Sequence, residues 1–208
     1  MQNSLNKQTV LSFYKNVIAN RDETAIPFFI HPDYIQHSPQ LKDGLPGLQE
    51  AILALKKMPV QKQEQSPVKL VIASDDLVAM YMVINMMGKT MAVADLFRLQ
   101  DGLIAEHWDA AQELQLEPVT KDLIVQEEGG NQSSLNFAVL LSLLQYENRD
   151  VHRVVIDNNY ALVQSSGSKN GLPFVFYEFL LLDGKQIKKR FAIEQEIPAV
   201  SANKNGMI

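Results

Sequence analysis

One stretch, residues 92–112, constrains the fold more than any other part of the chain; it reads AVADLFRLQDGLIAEHWDAAQ. A mostly apolar run precedes Gln100-Asp101-Gly102, and a more openly alternating run follows it. This pattern is typical of two strands joined by a tight turn, in which Gly102 takes the positive φ that a three-residue hairpin loop needs. The sequence therefore predicts a β-hairpin here.

The length of the turn decides which side chains of the hairpin lie together. With a loop of residues 100–102, Asp95 is opposite His107, and Val93 is opposite Asp109. Side chains on a strand alternate between two faces. One face then holds Val93, Asp95, Phe97, Ala105, His107 and Asp109. A two-residue loop, Asp101-Gly102, would instead place Asp95 on the face opposite His107. The three-residue turn thus predicts two carboxylates and an imidazole on one apolar face.

Composition excludes several classes of protein. The 208 residues include no cysteine, which excludes disulfides, thiolate metal sites and thiol catalysis. The net charge is −5, so the chain lacks the excess of basic residues that is typical of nucleic-acid-binding proteins, and we expect no nucleic-acid partner. The polar N-terminus lacks the apolar core of a signal peptide, and the longest apolar run, residues 135–144, is about half of what a membrane span needs. We expect a cytoplasmic protein that does not bind membranes.

Helical patterns come first and strand patterns follow. Apolar spacing predicts helices at residues 5–19, 22–29 and 47–57, with an extended segment at 34–37 between the last two. From Val68 onward the pattern changes to strands. Helices that precede a strand meander predict an α+β fold, a cone-shaped barrel in which a curved antiparallel sheet is closed by a helical lid. Such a fold encloses an apolar pocket.

The second half of the chain repeats part of the first. Residues 151–166 resemble 68–83, and residues 173–195 resemble the hairpin, with Asp183-Gly184 in the place of Asp101-Gly102. We therefore predict a first domain at 1–118 and a partial, degenerate repeat at 119–208, made of a helix at 133–146 and four strands and packed on the first domain. When residues are counted outward from the two turns, the equivalent positions in the two copies are Asp95 and Tyr177, His107 and Lys189, and Asp109 and Phe191. Only the first copy therefore keeps the acid, imidazole and acid together.

Two motifs carry a family resemblance. The segment YIQHSPQLKDG, which begins at Tyr34, and the hairpin that ends in EHWDAAQ resemble the SnoaL-like branch of the nuclear-transport-factor-2-like superfamily, over about residues 5–115. The resemblance implies the curved sheet with a helical lid. Characterised members include polyketide cyclases that close rings by intramolecular aldol condensation without a metal or cofactor, while other members only bind small molecules. Members usually pair into dimers, so we expect either a homodimer or a pseudo-dimer in which the second half takes the partner's place.

The residue types on the hairpin suit proton transfer. Aldol cyclisation and double-bond isomerisation both need a base that removes a proton next to a carbonyl, and donors that hold the enolate oxygen. We predict Asp109 or Asp95 as the base and His107 as donor or proton shuttle, with His37 as a further catalytic, positioning residue. A small hydrophobic molecule is the expected ligand, and its predicted contacts are Tyr34, Phe97, Tyr14 and Met91.

Other interpretations of the same residues remain open. One alternative is that Asp95 and His107 form a structural pair only, and another is that the whole unit is a binding or assembly module without catalysis. A metal is not expected, because His107 and Asp109 lack an accompanying histidine cluster. Arg98 and Glu106 are predicted to form an ion pair on the opposite face of the hairpin, where Trp108 packs against the second half or a partner subunit.

Overall fold

The structure is a computed structural model, and it describes residues 2–59, 66–86, 88–114, 124, 140 and 148–208. Helix α1, Gln2–Phe13, continues directly into a π-helix, Tyr14–Ala19, and a 3₁₀-helix follows at Glu23–Phe28. Helix α2 spans Gly44–Lys56. The three predicted helices are therefore present, with small changes at their ends. Among the described residues, no helix has the length and apolarity to cross a membrane.

The first sheet has five strands in the order β1-β5-β4-β3-β2. The strands are β1 (Ile30–Gln36), β2 (Val68–Ser74), β3 (Leu77–Met86), β4 (Lys89–Gln100) and β5 (Leu103–Glu113). Strands β2 to β5 form an antiparallel meander, whereas β1 joins the edge of β5 in parallel. The predicted mixed α+β architecture with a curved sheet is confirmed, and the parallel edge strand was not predicted.

The predicted three-residue turn of the central hairpin is wrong. Gln100 pairs with Leu103, so the loop is the two-residue Asp101-Gly102 turn, and both of its residues have positive φ (52° and 79°). The shorter turn, together with an extra residue on β5, places Asp95 opposite Asp109 and not opposite His107. Two consecutive residues with positive φ match the right-handed twist of the strands, which is why Asp-Gly favours a two-residue turn.

A bulge nevertheless keeps the acids and the imidazole on one face. The register changes between the Leu99–Ile104 pair and the Arg98–Glu106 pair, so Ala105 is an extra residue on β5. One extra residue restores the alternation that the shorter turn reversed. Beyond the bulge, His107 lies on the same face as Asp95, as the sequence predicted, although for a different reason.

The helices cover this face of the sheet. Val10, Phe13 and Val17 of the first helical segment pack with Ile52 of α2 against apolar side chains of the sheet, among them Val71, Val78, Met80, Met82, Phe97, Leu99 and Ile104. Burial of these side chains is the main force that holds the helices on the sheet. The inner face is therefore apolar apart from the polar groups on β1, β4 and β5.

A second sheet packs on the opposite face of the first. It has the order β6-β7-β8-β9, with β6 at Arg149–Asp157, β7 at Tyr160–Lys169, β8 at Leu172–Asp183 and β9 at Gln186–Glu196. One apolar cluster joins the two sheets and includes Tyr81, Leu96 and Trp108 of the first with Leu162 and Phe179 of the second. The helix predicted at 133–146 lies outside the described residues except for Leu140, which is helical and buried.

The strands of the two sheets pair in the same pattern, at a constant offset in residue number. The pair Gln100–Leu103 that closes the β4–β5 turn corresponds to Asp183–Gln186 at the β8–β9 turn, 83 positions later. The bulge after Arg98 has its counterpart after Leu181, and the bulge between residues 68 and 70 has its counterpart between 151 and 153, at the same offset.

This offset corrects the predicted equivalences between the two sheets. Asp95 corresponds to Glu178 and not to Tyr177, and His107 corresponds to Arg190 and not to Lys189. Asp109 corresponds to Ala192 and not to Phe191. The prediction aligned Asp101-Gly102 with Asp183-Gly184. The strand pairs that close the two turns instead align Gln100 with Asp183, so the predicted alignment is shifted by one residue. The second sheet therefore also carries an acid and a cation, at the positions of Asp95 and His107.

Candidate active site

A carboxylate–imidazole pair lies at the centre of the inner face. Asp95 is only 3% exposed, and its Oδ1 is 2.9 Å from Nε2 of His107. The His107 ring stacks on Phe97, with 4.7 Å between the ring centroids. The second carboxylate oxygen of Asp95, Oδ2, is buried and has no hydrogen-bond partner. An unpaired buried oxygen on a charged group is unfavourable for stability and is common at functional sites.

Gln36 fixes the orientation of the imidazole from strand β1. Its Oε1 accepts hydrogen bonds from the backbone N–H of Ser38 (2.9 Å) and from Nδ1 of His107 (3.0 Å), while its Nε2 donates to the hydroxyl of Tyr34 (2.9 Å). Because a backbone N–H can only donate, the oxygen of the amide must face Ser38 and His107. The proton of the His107 ring therefore sits on Nδ1, and Nε2 is left to share a proton with Asp95.

The surroundings of His107 act on its pKa in opposite directions. Burial is the largest influence and by itself lowers the pKa of the imidazole, because it disfavours the charged form. The hydrogen bond to Asp95 and the charges of Asp95 and Asp109 outweigh burial, so the pKa of His107 is raised above its ordinary value of 6.5. His107 thus carries a positive charge over more of the neutral range than a free histidine does.

Asp109 is the second carboxylate of the face and is directly opposite Asp95. Burial raises its pKa above the ordinary 3.8, and the charge of Asp95 adds to the rise. The charge of His107 and the hydroxyl of Ser38 act against this rise but do not cancel it. As a whole residue Asp109 is partly exposed whereas Asp95 is buried, so Asp109 is the more accessible of the two.

Two phenols complete the polar part of the site. Burial, followed by the charges of the two aspartates, raises the pKa of both Tyr14 and Tyr34 well above the ordinary value. Contact with Asp95 contributes to the shift at Tyr14, although this contact does not have the geometry of a hydrogen bond and leaves Oδ2 unpartnered. Both phenols therefore keep their protons at neutral pH and act as hydrogen-bond donors.

The apolar lining is partly open beside Asp109. Met91 and Val93 lie on the same face as Asp95, at the end of the hairpin far from the turn, where β4 pairs with β5. Both residues are only half-buried. Phe97 was predicted to contact a ligand, but it is 2% exposed and packs under Tyr14, Phe13 and His107. Phe97 therefore supports the imidazole, while Met91 offers surface to a ligand.

His37 does not lie across the pocket as predicted. Its ring stacks on Trp108 on the opposite face of the sheet, with 4.8 Å between centroids. Nε2 lies 2.8 Å from Oε1 of Glu106, and Nδ1 lies 3.0 Å from the carbonyl oxygen of Gly206. The predicted ion pair between Arg98 and Glu106 is present at 2.8 Å, and Trp108 packs against the second sheet. His37 belongs to this outer cluster because strand alternation places it opposite Tyr34 and Gln36.

Gln36 and Ser38 are site residues that the sequence interpretation missed. A signal for them was available, since Tyr34, Gln36 and Ser38 alternate along one extended segment and so share a face. Residue type misdirected the prediction toward His37, because histidine is the more familiar catalytic residue. The structure brings the other predicted residues together on the inner face: Tyr14, Tyr34, Met91, Asp95, Phe97, His107 and Asp109.

Three side chains of the site are also close enough to share a cation. One ligand atom from each of Asp95, His107 and Asp109 lies within 4.8 Å of the others. Both ring nitrogens of His107 are already hydrogen-bonded, however, so a metal would have to replace the bond to Gln36 or to Asp95. This donor set fits proton transfer better than coordination, and the absence of a metal stays a prediction.

Asp95→Asn is expected to reverse the pKa shift of His107. With the hydrogen bond and charge of Asp95 removed, burial becomes the dominant influence, so the pKa of His107 should fall below the ordinary 6.5. Titration of the ring protons by NMR measures this directly. Glu50→Gln is the matched control, because Glu50 pairs only with Lys42 at the surface. A His107 pKa that stays raised in Asp95→Asn would contradict the assignment of the pair.

A family comparison matches the part of the chain that contains this site. A family model described as SnoaL-like polyketide cyclase matches residues 8–118. The chain belongs to the SnoaL-like polyketide cyclase family. The match includes the second half of helix α1, the whole first sheet and every residue of the site, whereas the second sheet lies outside it. A comparison with curated proteins found no match.

Solved structures are similar to part of this SnoaL-like chain. TsrD from Streptomyces laurentii is 19% identical over 51% of this chain and 88% of its own, with a TM-score of 0.40. A steroid delta-isomerase from Pseudomonas aeruginosa is 19% identical over 51% of this chain and 80% of its own, with a TM-score of 0.39. An NTF-2 like protein from Burkholderia xenovorans LB400 is 17% identical over 62% of this chain and 100% of its own, with a TM-score of 0.44.

Proposed function

We propose that this SnoaL-like protein is an acid–base enzyme that acts on a hydrophobic, carbonyl-bearing small molecule without a metal or cofactor. The reaction is an intramolecular aldol cyclisation or a related isomerisation. One observation carries the proposal: Asp109, a partly exposed residue whose carboxyl group has a raised pKa, shares an apolar face with two protonated phenols and a charged imidazole–carboxylate pair.

Asp109 is the base in this scheme. Its carboxylate removes a proton from the carbon next to the substrate carbonyl, and the electron pair of that bond forms the enolate. Because burial raises the pKa of Asp109, the carboxylate is a stronger base than an exposed one. Asp95 is the weaker candidate, since one of its oxygens is bonded to His107 and the residue is almost fully buried.

The phenols of Tyr14 and Tyr34 stabilise the enolate oxygen. The Tyr34 oxygen accepts a hydrogen bond from Gln36, so its own proton remains to be donated. Donors that are fixed before the reaction stabilise developing negative charge without reorganisation. In the cyclisation the enolate carbon attacks a second carbonyl of the same molecule, and the oxygen of that carbonyl takes up the proton from Asp109. In the isomerisation the enolate takes the same proton back at another carbon, and in both cases no electrons leave the substrate.

His107 acts on the site through its charge. Both of its ring nitrogens are hydrogen-bonded, one to Gln36 and one to Asp95, so it has no free position from which to donate to a substrate. Its positive charge favours the carboxylate form of Asp109 and therefore keeps the base ready to accept a proton. This role differs from the donor or shuttle that the sequence predicted.

The test is proton exchange next to a ketone carbonyl. The wild-type protein is incubated in D₂O with 2-tetralone and a panel of other hydrophobic ketones, and loss of the α-proton signals is followed by NMR. We expect exchange faster than in buffer alone for at least one ketone. A folded protein whose melting temperature rises with a ketone, but which exchanges no protons, would support the alternative of a binding module. A panel with neither effect would contradict both.

Tyr14→Phe is expected to slow this exchange by about ten- to a hundredfold, because it removes one of the two enolate donors and leaves Tyr34. The ring still packs against Phe13 and Phe97, so the melting temperature should change little. Phe28→Leu serves as a control, since Phe28 is largely exposed on the 3₁₀-helix. An unchanged exchange rate in Tyr14→Phe would remove Tyr14 from the mechanism.

We also infer that the second sheet is a partial repeat that takes the place of a partner subunit. The contacts between the sheets are reciprocal at the 83-residue offset of the turns. The N–H of Ala111 donates to Gln195, and the N–H of Glu194 donates to Gln112. Reciprocal contacts of this kind are the mark of a two-fold interface between identical subunits.

A second reciprocal pair supports the same inference. The backbone N–H of Ala73 donates to the Asp157 carboxylate, and the backbone N–H of Ile156 is 3.4 Å from the hydroxyl of Ser74. In the second sheet, the ion pair of Glu178 with Arg190 occupies the positions of Asp95 and His107. A guanidinium stays protonated near neutral pH, so this pair is not suited to acid–base catalysis.

A monomeric protein is the expected result of this arrangement, since the sheet face that would bind a second copy is already covered. Light scattering after size-exclusion chromatography should give a mass close to 23.4 kDa. The measurement is repeated at several protein concentrations. A stable species of twice that mass at micromolar concentration would contradict the inference.

A further inference from the structure

The end of the chain crosses back to the first unit and contacts the loop that follows strand β1. The backbone N–H of Ala202 donates to the carbonyl of Pro39, and the side chain of Asn203 donates to the carbonyls of Ser38 (2.6 Å) and Leu41 (3.0 Å). The side chain of Asn205 donates to the carbonyl of Gln36 at 2.9 Å. We call residues 201–207 the C-terminal clasp.

Asn203 is the centre of the clasp. It is buried, its amide group donates twice, and its Oδ1 accepts from the backbone N–H of Asn205 at 3.1 Å. A buried amide with all these bonds made has a fixed position. Met207 anchors the clasp separately, because its side chain is buried in the apolar cluster between the two sheets.

The loop that the clasp holds carries two groups of the active site. Gln36 and Ser38 present their carbonyls to the clasp, while the side chain of Gln36 reaches His107 on the inner face and the backbone N–H of Ser38 holds the amide oxygen of Gln36. The carbonyl contacts of the clasp therefore fix the position of the Gln36 amide, which is the acceptor for Nδ1 of His107. His37, between them, is held by the carbonyl of Gly206.

We propose that Asn203 and Asn205 of the C-terminal clasp are positioning residues for the active site, acting on His107 through Gln36, which Asn205 contacts directly and Asn203 contacts through Ser38. This proposal rests on the proposed function for its catalytic consequence. The residues of the clasp lie outside the part of the chain that matches the family model, so the site depends on a segment that the family match does not include.

The physical effect is a change in how well the charged form of His107 is stabilised. An amide oxygen that accepts from Nδ1 stabilises the imidazolium more than the neutral ring, since the bond is charge-assisted. If the loop shifts, this bond lengthens and the charged form becomes less favourable. A small displacement of positioning groups is also expected to lower the exchange rate, by up to about 10²-fold.

The test compares Asn203→Ala and the milder Asn205→Ala with Met207→Ala. All three loosen the clasp, but Met207→Ala removes apolar packing and a weak contact of its sulfur with Gln195, and none of the bonds to the loop after β1. NMR titration of the His107 ring is the main readout, because it needs no turnover and is not a measure of stability. We expect the midpoint to move to lower pH in Asn203→Ala and Asn205→Ala, and to stay in place in Met207→Ala and in the exposed control Lys204→Ala.

A double variant tests the route of the effect. Gln36→Leu alone should lower the His107 midpoint, and adding Asn205→Ala should lower it no further if both act through the same bond. Unchanged titration in the two asparagine variants, with a melting temperature lowered as in Met207→Ala, would overturn the proposal and leave the clasp a simple tether. If the wild type catalyses no exchange, the proposed function fails, while the titration still decides whether the clasp positions His107.

Discussion

Asp109→Asn is expected to lower the rate of α-proton exchange by about 10²- to 10⁴-fold, the range for the loss of a general base. The amide has nearly the same shape as the carboxyl group but cannot accept the proton. The variant should be as stable as the wild type or more stable, because burial disfavours the carboxylate and so raises the pKa of Asp109.

The pH dependence of this gain in stability has a definite sign. Since the folded pKa of Asp109 is raised above 3.8, the carboxylate is unfavourable in the folded protein at pH values above the folded pKa. The advantage of Asp109→Asn should therefore be full at neutral pH and vanish below pH 3.8, where Asp109 is protonated in both states. Melting temperatures measured across this range provide the check. A variant that loses stability and keeps its exchange rate would make Asp109 a structural residue.

Trp108→Ala is expected to lower the free energy of unfolding by about 3–5 kcal/mol, the usual loss for a buried tryptophan. Trp108 is 1% exposed and lies in the apolar cluster between the sheets. The guanidinium of Arg153 is 3.8 Å from its ring centroid, and His37 stacks on the ring. The truncation therefore leaves a cavity and removes two ring contacts together.

Urea unfolding of Trp108→Ala and Trp108→Phe measures this loss. Trp108→Phe should be much less destabilising, because it keeps a ring and removes an indole N–H that has no hydrogen-bond partner. The proton-exchange rate of Trp108→Phe should match the wild type, since Trp108 is on the face opposite the site. A loss below about 1 kcal/mol in Trp108→Ala would contradict the packing of the second sheet on the first.

The central hairpin shows how far local sequence rules reach. Alternation and the Asp-Gly pair predict two strands, a turn and a set of polar residues on β4 and β5. The rules do not predict the bulge at Ala105, because a bulge depends on how β5 pairs with both of its neighbours. A local rule gave the correct face only because two errors, in the turn and in the bulge, cancelled.

The segment around His37 shows a different limit. Alternation from Tyr34 already places Gln36 on the inner face and His37 on the outer face. The prediction favoured His37 because of its chemistry, which outweighed its position on the strand. His37 stacks on Trp108 of β5, which is buried against the second sheet, and it bonds to Gly206 of the C-terminal clasp. The role of the outer face therefore became visible only with these two elements in place.

The sequence by itself determined the order of helices and strands, the acid and imidazole residues of the hairpin, and the family to which residues 8–118 belong. These features depend on neighbours within about ten residues or on motifs that one strand carries. Tertiary structure alone decided the pairing of Asp95 with His107, the hydrogen bond of Gln36 to His107, and the contact of residues 201–207 with the loop after β1. Those contacts join groups far apart in the chain, and no periodic pattern specifies which of many compatible side chains meet.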